Sequence, residues 1–346
     1  MSRIRPGSLL FVGAMVISAC GGTAAPTATA STSASAAPST AAIGKPEKSS
    51  LTIGLPVAAT SFLPVYLAAA RTDKEEGLDV KLVTFKGDAQ VVQALAGGSI
   101  DIAVASPNGL FNMIKAGQPV IGFYAGFYQA DFAWLARPEI KTWSALKGGT
   151  IGVSTFGSLT DFLTRYSLKK NGLEPEKDVK IVQAGGSPTA YQALVAGRLS
   201  AAILAPPFKW QAREKGMNEI GVQTKDVAPE WPKHIFYTTK KFLSEDPNTV
   251  THVLRAHVLA IRLAKSDRAA AVKVMEDDLK YSAKDADRAY DDVIGAYNER
   301  GTLPPAASMK TFWDITIQTG DVTEAWPDSK FLDTHYIDTF AAWAPK

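Results

Sequence analysis

The chain has 346 residues, with 37 Lys and Arg against 34 Asp and Glu, a formal charge of +3, 46% hydrophobic residues and one cysteine. One cysteine excludes a disulfide framework and a cysteine-built metal site. The near balance of charge, with no basic stripe interleaved with aromatics, excludes a nucleic-acid binder.

Arg3 and Arg5 form a short positive segment ahead of the apolar run Leu9 to Ile17. That run is shorter than the about 20 apolar residues a bilayer span takes, but it suits the core of a secretory signal. It ends in Ile17-Ser18-Ala19-Cys20, which resembles the bacterial lipobox. Residues 1–19 are therefore expected to be a lipoprotein signal peptide, and Cys20 the acylated, palmitate-bearing mature N-terminus. Its removal takes away two of the 37 basic residues and leaves 35 against 34 acidic ones, so the mature chain is near neutral. Residues 21–44 are Ala, Thr, Ser, Gly and Pro with one Ile and no charge. Such a stretch cannot bury enough apolar surface to offset its ordering entropy, so residues 20–50 read as a disordered tether.

The folded body starts near Leu51 and is long enough for two domains. Thr52-Ile53-Gly54-Leu55 returns as Thr150-Ile151-Gly152-Val153, an offset of 98 (150 − 52). Gln93-Ala94-Leu95 with Gly98 returns as Gln192-Ala193-Leu194 with Gly197, an offset of 99 (192 − 93). Two matches in the same order at nearly one offset indicate duplicated architecture. Each unit reads strand, helix, strand, helix, strand. The first comprises 51–56, 62–76, 80–84, 90–96 and 101–105; the second 150–154, 158–170, 179–183, 188–196 and 201–204. Ser158 and Asp161 resemble a capping box, and Asn171-Gly172 a helix stop. Alternation of this kind predicts parallel sheets covered on both faces. Beyond Pro207, Ile235–Thr239 reads as a return strand, and the rest is helical. Val250, Val253, Leu254, His257, Val258 and Ile261 fall on one stripe.

The segments LKGGTIGVSTFGSLTDFLTRYSLKKNGL and VQAGGSPTAYQALVAGRLSAAILAPP carry a specific resemblance. With Leu51–Ala70 and Glu76–Ser106, they resemble the nitrate, sulfonate, taurine and bicarbonate group of ABC solute-binding proteins, the SsuA/THI5-like or NMT1-like family. The resemblance implies an α/β, type II periplasmic-binding-protein fold, two doubly wound lobes joined by a hinge, with the family domain over about 51–275. Residues 51–143 and 237–346 are assigned to lobe I and 144–236 to lobe II, with the hinge near Lys141–Lys147 and Trp231–Lys240. It further implies a small-molecule ligand, ABC permease and ATPase subunits as partners, a membrane contact through the lipid anchor, and no enzymatic activity. The protein is expected extracytoplasmic and monomeric, without cofactor or metal. The fungal THI5 branch relies on its own histidine and a cysteine-rich iron motif, which a chain with Cys20 alone does not have.

Ligands of open α/β sheets sit beyond the carboxyl ends of the strands. The repeat marks those ends as four loops: Pro56–Phe62, Ala105–Asn108, Ser154–Thr160 and Ala205–Phe208. Two of them open helices, whose free N–H groups suit an oxyanion or a carbonyl oxygen. Ala59, Thr60, Ser61, Ser106, Thr155, Gly157, Ser158, Gly186, Tyr124 and Phe208 are the candidate ligand-binding residues, Ser61 and Ser158 doubling as helix caps. A nitrate-, sulfonate- or taurine-type oxyanion is favoured. A planar heteroaromatic such as a pyrimidine precursor or flavin is the alternative, because no Arg lies in the four loops and Lys209 is the nearby cation. A ligand sensor feeding a signalling receptor would use the same cleft. The four histidines, His234, His252, His257 and His335, are expected outside it.

Overall fold

The computed structural model describes residues 43–129 and 131–346, so Cys20 and most of the tether lie outside the described residues. Ten strands form two five-stranded sheets. The first contains β1 (Ser50–Leu55), β2 (Asp79–Thr84), β3 (Ile102–Ala105), β4 (Val120–Gln129) and β10 (Glu230–Thr239), in the order β2-β1-β3-β10-β4. The second contains β5 (Ala133–Ala136), β6 (Thr150–Val153), β7 (Lys180–Gln183), β8 (Ala201–Leu204) and β9 (Asn218–Val222), in the order β7-β6-β8-β5-β9. Position by position the two orders match, which is the duplication seen in the sequence.

The repeated glycines have a packing reason. A Cβ on Gly54 would stand 2.5 Å from Ile100 Cδ1, and one on Gly152 would stand 2.6 Å from Leu199 Cδ1. The bare backbone of each first strand is what lets the apolar residue ahead of the third strand lie across it. β3 and β8 are buried along their whole length, as central strands covered on both faces must be.

The sheets are mixed rather than wholly parallel. β1 runs parallel to β2 and β3, and β6 parallel to β7 and β8. The fourth strand of each sheet is antiparallel to both neighbours: β10 between β3 and β4, β5 between β8 and β9. Each of these strands lies in the opposite sheet from the strand that precedes it in the chain. The chain crosses between 129 and 133 and returns between 222 and 230. The outgoing crossing thus lies about ten residues before the expected Lys141–Lys147 hinge, and Ala133–Ala136, assigned to lobe I, pairs in the second sheet, while the return ends directly before the expected Trp231–Lys240 segment. The reason is that β5 is a short, wholly buried strand that no alternation marks.

Helices cover both sheets: α1 (Leu63–Leu67), α2 (Asp88–Ala96), α3 (Pro107–Lys115), α4 (Leu159–Lys170), α5 (Ser187–Val195) and α6 (Phe208–Glu214). The C-terminal part adds α7 (Pro247–Ser266), α8 (Arg268–Asp277), α9 (Ala283–Val293) and α10 (Ala306–Gln318). α7 buries the stripe from Val250 to Ile261, and burial drives the His257 imidazole down to about 3. α10 sets Phe312 against Trp231 at 5.0 Å between ring centres, beneath the returning strand. Among the described residues no helix is long and apolar enough to cross a membrane.

Candidate ligand-binding site

The carboxyl ends of both sheets face one partly open cavity of about 60 Å³. Its walls take residues from all four loops named above, together with Gly185–Ser187 ahead of α5, Asp88, Phe132 and the pair Lys233–His234 on β10. Apolar groups dominate, Phe62, Phe132, Leu159, Ile203 and Phe208 among them. A cavity that takes benzene measures roughly 150 Å³, so this one suits a compact solute in this arrangement.

The candidate residues divide. Ala59, Ser61, Ser106, Gly186 and Phe208 stand on the wall. Thr60 points behind it, its Oγ1 donating to the Tyr281 hydroxyl at 3.3 Å. Tyr124 is buried within the first lobe, where its hydroxyl donates to the Glu299 carbonyl at 2.6 Å. Gly157 faces a separate polar groove, its N–H donating to Asp161 Oδ2 at 2.9 Å. Thr155 is buried against Gly87, where a Cβ would meet its Oγ1. Ser158 is fully buried and caps α4, accepting from the Asp161 N–H at 3.4 Å and meeting Ser154 Oγ at 2.8 Å.

Three ionisable residues on the wall were not among the candidates. His234, expected outside the cleft, is stacked on Phe62 with ring centres 4.0 Å apart, and its Nε2 lies 2.8 Å from Ser61 Oγ. Burial, with the Lys233 ammonium beside it, holds this imidazole well below its usual value, so it is neutral. Lys233 is buried beside Asp131, with its ammonium 4.5 Å from the centre of the Phe132 ring. Burial pulls Lys233 down and the Asp131 carboxylate opposes that pull. Lys209 donates to the Asp131 carbonyl at 2.8 Å, so this cation is also committed. Asp88, the first residue of α2, accepts from the Ser106 N–H at 3.1 Å and from the Leu159 N–H at 3.2 Å. Burial pushes its carboxyl up, and those two backbone donors oppose the push. The pattern of β10 could have singled out Lys233-His234 as two polar residues inside an aromatic and β-branched strand. Nothing local could have placed them at the cleft.

Ser61 and His234 form a hydroxyl–imidazole contact, but His234 Nδ1 has no partner to orient it among the described residues. A Ser–His nucleophile works with a base of useful pKa held by a third group. This pair has neither feature, and it reads as a polar handle on the wall.

The sequence model of the NMT1-like family matches residues 44–276. YtlA of Bacillus subtilis, whose name describes it as a binding protein, is 27% identical over 245 residues, 69% of this chain and 71% of its own length. A protein of Brucella abortus, also named for binding, is 25% identical over 184 residues, 52% of this chain and 56% of its own. A solved structure from Bordetella bronchiseptica RB50 superposes with a TM-score of 0.72 at 21% identity, covering 85% of this chain and 98% of that one. The periplasmic aliphatic sulphonate binding protein SsuA from Escherichia coli gives 0.59 at 18% identity over 82% and 91%. The periplasmic nitrate-binding protein NrtA from Synechocystis gives 0.60 at 14% identity over 84% and 93%. The fold is thus the two-lobed periplasmic-binding-protein fold.

Proposed function

The chain belongs to the NMT1-like family, and from that premise we propose that it captures a compact solute between its lobes and delivers it to the permease and ATPase of an ABC importer. The observation that carries this reading is the cavity at the carboxyl ends of both sheets, walled by matching loops of the two halves. The printed names of the similar proteins, binding proteins and periplasmic sulphonate or nitrate binders, support the same reading. Residues 1–19 are proposed as a signal peptide and Cys20 as a lipid anchor, with the tether to Ser50 holding the lobes outside the cytoplasmic membrane. Cys20→Ser is expected to release the protein from the membrane fraction, and unchanged membrane association would refute the anchor.

Capture is tested by incubating the folded body with a mixture of compact solutes and dialysing it. Native mass spectrometry then reads any retained mass. At 100 times Kd a solute adds about 2.7 kcal/mol of stability, so the retained compound should also raise the melting temperature. A protein that retains nothing and melts unchanged with every solute would contradict the reading.

A further inference from the structure

The loop between β6 and α4 offers helix N–H groups to the cleft, the feature that favours an oxyanion. In the structure that seat is occupied from within. Asp88 reaches from α2 of the first lobe to α4 of the second, and its Oδ2 accepts from the N–H of Leu159, the first residue of that helix, at 3.2 Å. Its Oδ1 accepts from the Ser106 N–H, at the end of β3, at 3.1 Å. A carboxylate at a helix start ordinarily serves its own helix, yet both oxygens of Asp88 serve other segments, and one of those lies across the cleft. The side chain is buried and forms part of the cavity wall.

Among the described residues no ion pair engages Asp88. The nearby cation on the wall, Lys233, is committed to Asp131, and His234 is neutral. The cavity therefore carries one uncompensated carboxylate when Asp88 is ionised. A carboxylate has about four lone-pair positions; two are used by backbone N–H groups and the Ser106 hydroxyl is a third partner, so one acceptor position remains. A second anion there would meet like charge in a poorly solvated site, and the Ser106 and Leu159 N–H groups are already taken by Asp88.

We propose that Asp88 is a specificity-determining residue: it fills the anion seat of α4 and turns the cavity toward neutral or cationic solutes that bring an N–H or O–H donor, and against oxyanions. The proposal rests on the reading of this cavity as the solute site, and it names the class of solute.

The test is titration of the wild type, Asp88→Ser and Asp88→Asn with methanesulfonate, nitrate and sulfate at pH 8. Asp88→Ser frees the Ser106 and Leu159 N–H groups beside the cavity. It should bind at least one of these anions roughly tenfold or more tighter than the wild type, which is about 1.4 kcal/mol. Asp88→Asn keeps the shape and one acceptor oxygen, and should show a smaller gain; it also decides the matter if the serine variant does not melt cooperatively. Wild-type binding of an oxyanion as tight as in the variants, or no gain in either folded variant, would overturn the proposal. An anionic compound retained by the wild type after dialysis would overturn it too. A wild type that retains no compound at all counts against solute capture, while the anion titration still decides the role of Asp88.

Discussion

Replacing Ser158 by Ala removes the N-cap of α4 and its hydroxyl contacts with Ser154 and Thr160, and removes nothing from the cavity wall. The loss should appear as about 1 kcal/mol of stability, with solute affinity unchanged. Apo melting and calorimetry on the same variant check this, and a tenfold loss of affinity at unchanged melting would mean that Ser158 touches the solute. The cap itself is readable from the spacing of Ser158 and Asp161. The direction of the hydroxyl is not, because a helix-start serine beside a cleft has the same sequence signature whether it faces the cleft or its own helix. Tyr124 shows the same ambiguity: an aromatic near a strand end can serve a cleft or a core, and the Glu299 carbonyl that takes its hydroxyl lies 175 residues away. Ser61 and Gly186 were readable because their loops follow directly from the strand pattern. Asp88 and His234 depend on how the two halves meet.

At the scale of elements, the repeat made the three parallel strands of each sheet legible within one or two residues, because their periodicity and glycines are local. Of the antiparallel strands only the second half of β10, Ile235–Thr239, was. β5 is four buried residues, Ala133–Ala136, with no alternation to mark it, and β4 reads as an aromatic cluster. Both crossings depend on the pairing of segments about 100 residues apart. One buried ion pair joins them: Asp131 lies on the outgoing crossing and Lys233 on the returning strand, each side chain 4% exposed. Breaking such a pair leaves an unpaired buried charge, so Lys233→Met alone should lower stability by about 3–5 kcal/mol. Adding Asp131→Leu should recover most of that loss, since an apolar replacement of a whole buried pair is often neutral. Denaturant unfolding of the two variants checks it, and a double variant no more stable than the single one would contradict it.

At the scale of the whole molecule, the described conformation is closed. Asp88 bridges to α4 on one side of the cavity. On another, α6 of the second lobe meets α9 of the first, with Gln211 donating to Asp285 at 2.8 Å and the Arg288 guanidinium 4.0 Å from the Trp210 ring. Parting of these contacts, a hinge motion at the crossings, is the expected route by which the cavity opens further to solute. Gly186 marks a close approach of the lobes on the cavity wall, since a Cβ there would stand 3.2 Å from Val57 Cγ1 of the opposite lobe. Its φ of −66° admits any side chain, so a large residue at this position wedges the lobes without straining the backbone. The affinity of Gly186→Trp for the solute that the wild type retains, measured by calorimetry on a variant shown to melt cooperatively, is the most direct measurement of capture between the lobes. Loss of detectable binding in the folded variant is the expected result. Affinity equal to the wild type would place the solute outside the interlobe cavity and contradict the account.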